Sequence, residues 1–184
     1  MQTTLIVLVL IVIVLVLMYN SLVSKKNQVQ NIFGSLDAVL KKRYDLVPNL
    51  VASASKFMEH EKSLLEQVTK LRVEAIKPNL DDKTKIELDS KITKALGSIM
   101  VAVEAYPELK SDATMLHLQQ SLFDIEEQIS GARRAYNQAV TDYNNALEMI
   151  PTNFMASAMG YVKKDVITIE ASERKNPNIK ELFS

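Results

Sequence analysis

Fourteen consecutive residues, Leu5 to Met18, are all aliphatic or Met, and this run constrains the fold more than any other stretch. Thr3, Thr4 and Tyr19 extend it without adding charge. A segment of about 17–20 residues is thus available to cross the hydrocarbon core of a bilayer as one helix. The run is apolar on every side, which the surface helix of a water-soluble core would not be. The only positive charge before it is the α-amine. Tyr19-Asn20-Ser21-Leu22-Val23 behind it holds no A-x-A-like site, and no Cys follows for lipidation. A retained anchor over residues 1–23 is therefore expected in preference to a cleaved signal peptide. Lys25 and Lys26 follow the run directly, and Lys41, Lys42 and Arg43 come later. The positive-inside rule then predicts a cytoplasmic domain and an external N-terminus.

What remains of the 184 residues has room for one domain with a core of its own. Its 22 basic and 22 acidic side chains cancel, so the electrostatic footprint of a duplex nucleic-acid binder is missing and no nucleic-acid partner is expected. There is no Cys, which excludes disulfides and thiolate chemistry. Four Gly and five Pro are too few for the turns of a strand-rich fold. An all-α chain is expected.

Apolar spacing divides the domain, residues 24–160, into helices. Leu22, Val29, Ile32, Phe33, Leu36, Val39 and Leu40 share one face, and no Pro separates them from the membrane run. The first soluble helix is thus expected to continue the membrane helix as a stalk. Pro48, with Asp45 as N-cap, predicts a break and a second helix running to about Ile76. Its seam of Leu50, Ala54, Phe57, Glu61, Leu64, Val68, Leu71 and Ala75 holds one acid. A third helix, from a cap at Asp81 or Asp82 to Tyr106, places Ile92, Leu96, Ile99, Val103 and Tyr106 in steps of four and three. The fourth, about Ser111 to Ile150, carries the longest pattern, from Leu118 to Ile150. At roughly 60 Å it must either match an equally long stalk or lend part of its seam to a partner. A short helix over Phe154–Met159 precedes Gly160, and residues 161–184 read as a loosely structured tail. The expectation is an N-terminal transmembrane helix followed by an elongated antiparallel long-helix bundle: about four main helices plus a short C-terminal one.

Catalytic constellations are not found in the sequence. Three residues before His60 stands Phe57, and before His117, Thr114, so the Glu-x-x-His pairs of a di-iron bundle are missing. His60-Glu61 is followed by Leu64 rather than a second His, and there is no Gly-rich phosphate loop. No enzyme activity, catalytic residue, metal or cofactor is expected. His60 and Glu61 are instead expected to form a hydrogen-bonded structural pair beside an interhelical groove. Tyr136-Asn137 and Tyr143-Asn144 repeat at a spacing of seven and so share a helix face. They read as seam tyrosines with hydroxyls partnered at the edge, or as a ligand- or peptide-binding ladder. Lys41, Lys42 and Arg43 with Asp45, and Arg133-Arg134 with Glu126-Glu127, read as solvated faces with one or two interhelical ion pairs.

Several longer segments carry a likeness. They are Tyr19-Asn20-Ser21-Leu22-Val23; the stretch from Leu36 to Val51, which contains Asp45-Leu46-Val47-Pro48-Asn49-Leu50-Val51; His60-Glu61; and Glu104-Ala105-Tyr106-Pro107-Glu108-Leu109-Lys110. Leu118 to Leu122, Glu126, Ile129, Arg133, Tyr136-Asn137 and Tyr143-Asn144 complete the set. The chain resembles the LemA family of membrane-anchored helical proteins of bacteria and archaea. Members usually have Ala-Trp-Ala where this chain has Ile32-Phe33-Gly34, and this chain is Trp-free. The resemblance implies a transmembrane helix, a long-helix bundle and an N-out topology. It brings no established activity, and it suggests HtpX-like membrane proteases and quality control only by association.

The leading expectation is a non-enzymatic membrane-anchored scaffold, self-assembling or bound to another membrane protein. A second is a sensing module, with the Tyr136/Tyr143 face and the Arg43–Asp45 corner lining a polar pocket. The cluster under consideration is Arg43, Asp45, Asn49, His60, Glu61, Glu126, Arg133, Tyr136, Asn137, Tyr143 and Asn144.

Overall fold

The computed structural model describes residues 1–168. Those residues are built from helices: α1 (Gln2–Ala54), α2 (Lys62–Ala75), α3 (Asp82–Val103), α4 (Pro107–Lys110), α5 (Ala113–Glu148) and α6 (Thr152–Ala158). The membrane run and the stalk are one helix, as the Pro-free spacing required. Residues Leu5 to Leu17 lie bare of any packing, and Leu22 is the first fully buried side chain. From there α1 buries Val29, Phe33, Leu36, Leu40, Arg43, Val47, Leu50 and Ala54, a stripe in steps of four and three.

That stripe packs antiparallel on α5. Leu22 meets Ala146 near the apolar run. Further along, the rings of Phe33 and Tyr136 meet edge to face at 5.6 Å. Further still, Arg43 reaches Glu126. Each ten or eleven residues gained on α1 are matched by ten lost on α5, so the two helices stay in register along their contact. The length of α5 is therefore matched by an equally long stalk.

α2 and α3 form a hairpin laid against the distal half of α1. Asn79, at φ 64°, closes its turn in the left-handed region that Asn tolerates better than most residues. Asp81 caps α3 by accepting from the Thr84 N–H at 2.8 Å, and Asp112 caps α5 through the Met115 N–H at 2.9 Å. The bonds from the Thr84 amide and hydroxyl hold the Asp81 carboxyl below its ordinary range.

One sequence-based expectation fails here. The helix does not break at Pro48, which lies inside α1, so Asp45 caps nothing. Proline costs a helix the bond to the carbonyl four residues earlier, here that of Tyr44. Arg72 on α2 donates Nε–H to that same oxygen at 2.8 Å, which replaces the lost bond from outside the helix. The chain turns instead after Ala54, where Phe57 and Met58 both return amides to the Ala54 carbonyl and Met58 enters the core. In the tail, residues 161–168 are irregular in backbone and held against α5. The expectation for residues 169–184 lies outside the described residues.

Candidate functional site

The polar residues singled out from sequence separate into two centres and a remainder. The first centre is a buried ionic knot. Arg43 stands on the α1 stripe between Leu40 and Val47 and is 1% exposed. Its Nη1 donates to Asp89 at 2.9 Å and to Thr93 at 2.6 Å on α3. Its Nη2 donates to Glu126 on α5. Asp89, also 1% exposed, accepts from Arg133 of α5 at 2.7 Å with its other oxygen. Two cations and two anions thus bind three helices at one level. Burial weakens the hold of the Arg43 guanidinium on its proton, and the neighbouring Asp89 carboxylate restores part of it. Beside it the Tyr44 hydroxyl is buried without a hydrogen-bond partner among the described residues. Burial, then the charge of Asp89, push its phenol well above the ordinary value.

Arg43 was expected on a solvated face with one or two interhelical ion pairs; the ion pairs form, but the residue is buried. A charged residue at a seam position is the signal that marks it: Leu36, Leu40, Arg43, Val47 and Leu50 keep the helical step unbroken. Asp89 was missed altogether, although it extends the seam of Ile92 and Leu96 by one step of three. The knot's buried carboxylate already accepts from two guanidinium groups, and its acid on α5 borders a shallow groove lined by Leu96, Met100, Leu122 and Phe123.

The second centre is on α5 nearer the apolar run. Asn137 donates Nδ2–H to the Ile167 carbonyl at 2.8 Å and accepts the Ile167 N–H at 2.7 Å. Asn144 does the same to Lys164, at 2.8 and 3.0 Å. Each side-chain amide therefore pairs with both polar groups of one backbone residue, as a neighbouring strand would. The tyrosines sit one residue earlier on the same helix. Tyr143 is buried and donates its hydroxyl to the Val162 carbonyl at 3.2 Å. Its ring lies 6.2 Å from that of Tyr161, over which Lys26 of α1 places its ammonium at 4.7 Å. Burial raises the phenols of Tyr136 and Tyr143. The tyrosines are buried in the seam as expected, and the two asparagines beside them hold the chain's own residues 162–167.

The remaining candidates join neither centre. Asp45, Asn49 and His60 are exposed; no polar pocket forms between Arg43 and Asp45, because residues two apart on a helix point apart. His60 and Glu61 do not pair. Glu61 accepts from the Tyr106 hydroxyl at 2.5 Å, which ties the start of α2 to the end of α3 and raises that phenol. Pro107 then opens α4, where Leu109 is fully buried. No group of three His, Cys, Asp or Glu that could hold a metal occurs among the described residues.

One long apolar helix, an all-α bundle and polar centres that grip helices and backbone define a membrane-associated helical-bundle protein. The LemA family model matches residues 32–180, and the chain belongs to the LemA family. It is 24% identical to protein LemA of Metamycoplasma hominis over 89% of this chain and 74% of that protein. It is also 24% identical to the magnetosome protein MamQ 2 of Paramagnetospirillum magneticum, over 80% of this chain. The magnetosome protein MamQ of Magnetospirillum gryphiswaldense is 24% identical over 78% of it. The chain spans 63% and 62% of those two proteins, less than two thirds of their length. The family match continues past Gly160 through the clamped segment.

Proposed function

We propose that this protein is a membrane-anchored, non-enzymatic interaction scaffold. The observation that supports it is the unbroken α1. One helix supplies both the apolar segment and the spine of the bundle, so anything the bundle binds is held at a set height above the bilayer. From Leu22 to Ala54 that spine measures about 50 Å at 1.5 Å per residue. Lys25 and Lys26 at the foot of the bundle favour a cytoplasmic bundle and an external N-terminus. Arg43 no longer counts toward that bias, since its charge is neutralised inside the knot. The occupants of the scaffold are further copies of itself or another membrane protein; an HtpX-like protease is the partner the family association suggests.

The test is crosslinking of the full chain in native membranes, followed by extraction in detergent and sizing. A retained higher-mass species is expected. A monomer with no crosslinked partner, or a chain that washes off vesicles in carbonate, overturns the reading. The sensing alternative is favoured by one observation, the paired amide contacts of Asn137 and Asn144 to a segment of backbone.

A further inference from the structure

Asn137 and Asn144 recognise backbone, and the spacing of their contacts is a match between two kinds of chain. Seven residues of α5 rise about 10.5 Å. The gripped residues, Lys164 and Ile167, are three apart, and three residues of polyproline-II chain advance about 9 Å. Exposure repeats with the same period: Tyr161, Lys164 and Ile167 turn toward the body while Val162, Lys163, Asp165 and Val166 lie exposed. Two side chains outside the amide pairs add selectivity. Ile167 is buried in the main core, and Tyr161 is held between the Tyr143 ring and the Lys26 ammonium. An occupant must therefore offer an aromatic residue and, six residues on, an aliphatic one, with free backbone N–H groups at the third and sixth steps after the aromatic.

The segment that meets those conditions is attached by little. It leaves α6, a helix of seven residues, through Gly160 at φ +64°, a conformation that glycine adopts freely. Both α6 and Tyr161 pack beside Leu22, at the end of the bundle next to the apolar run. Copies anchored in one membrane therefore present this segment at the same height and in the same direction. We infer that the Asn137/Asn144 face of α5 is a binding site for an extended peptide, filled by residues 161–168 of the same chain and exchangeable for the same segment of a second copy. This rests on the scaffold reading and specifies how self-assembly would occur: the exchange breaks and forms the same contacts, so local concentration in the membrane sets its extent.

Proline at the gripped positions tests this, because it removes the N–H that each asparagine accepts. The full chain carrying Lys164→Pro and Ile167→Pro is purified in detergent, and a labelled peptide of residues 161–168 is followed by fluorescence anisotropy. It should bind this variant at least tenfold more tightly than wild type, whose own segment competes. Adding Asn137→Ala and Asn144→Ala should abolish the gain. If those alanines unfold the chain by circular dichroism, Asn137→Asp with Asn144→Asp retains shape and an acceptor, loses the donor, and should abolish it likewise. In the same membrane, the proline variant is then co-expressed with a differently tagged chain lacking both asparagines but keeping its segment. The mixed pair should co-purify several-fold better than either variant with itself. No gain in peptide affinity, or a gain that survives loss of the asparagines, overturns the site. Peptide binding without co-purification of the mixed pair overturns the assignment to a second copy. The scaffold reading stands through either failure if wild type still retains a crosslinked membrane partner.

Discussion

Replacing Arg43 by Met and Asp89 by Leu, singly and together, isolates what the buried knot contributes. Arg43→Met leaves Asp89 buried with Arg133 as its remaining cation among the described residues. Asp89→Leu leaves Arg43 buried with Glu126 and Thr93. Removing one partner of a buried pair costs about 3–5 kcal/mol, because the survivor stays out of water unpaired. Each single change here should fall at the low end, about 3 kcal/mol, since each survivor keeps one countercharge. Independent sites would then sum to about 6 kcal/mol. The double variant leaves only Glu126 and Arg133, whose side chains are 47% and 23% exposed and can turn toward water. It also fills the seam with apolar volume, so its cost should be about 1–2 kcal/mol, below either single change. The coupling of about 4 kcal/mol is read from urea unfolding of the full chain in detergent, followed by far-UV circular dichroism. Additivity within about 0.5 kcal/mol would refute the claim that the two residues act as one buried unit.

Arg72→Met should cost about 1–2 kcal/mol by leaving the Tyr44 carbonyl unpaired, and the loss should largely vanish in a Pro48→Ala background, where the helix supplies the bond itself; equal losses in both backgrounds would contradict the compensation. Tyr44→Phe deletes an unpaired buried hydroxyl and should leave the melting temperature unchanged or raised. Because the folded-state phenol of Tyr44 titrates above its ordinary value, its contribution is fully present below about pH 10 and is lost as pH rises through the folded value. Stability of the wild type should therefore fall more steeply above pH 10 than that of Tyr44→Phe, by up to about 1.4 kcal/mol per pH unit; parallel denaturation profiles would refute the burial. Asp112→Ala should cost about 1 kcal/mol through loss of the α5 cap, measured by thermal melting. A chain beginning at Leu22 should remain helical and leave the membrane, whereas Leu22→Ala should lower stability by about 3 kcal/mol through the contact with α6; a Leu22 chain that fails to fold would refute the division between anchor and bundle.

Much of the architecture was legible in the sequence because helical periodicity and lipid-length apolarity are local properties. The membrane run, the stalk continuous with it, the seam of α5 and the cap at Asp81 all follow from residues within a few turns of one another. The two Tyr-Asn pairs, seven residues apart, lie on the face of α5 that holds residues 162–167. Pro48 misled for a tertiary reason: its usual penalty is offset by Arg72, a residue 24 positions away whose approach no local rule anticipates. The turn after Ala54 was invisible because Met58, rather than a Gly or Pro, directs it into the core.

What the sequence determined by itself was thus the kind of elements and the faces they bury, since those depend on spacing along one chain. Only the tertiary structure decided which charges lie inside, which turn the chain takes, and what the asparagine ladder holds. Those outcomes depend on partners far apart in sequence. A buried Arg43 is tolerable only where Asp89, Glu126 and Thr93 converge on it, and an asparagine becomes a backbone clamp only where an extended segment lies within reach of its amide.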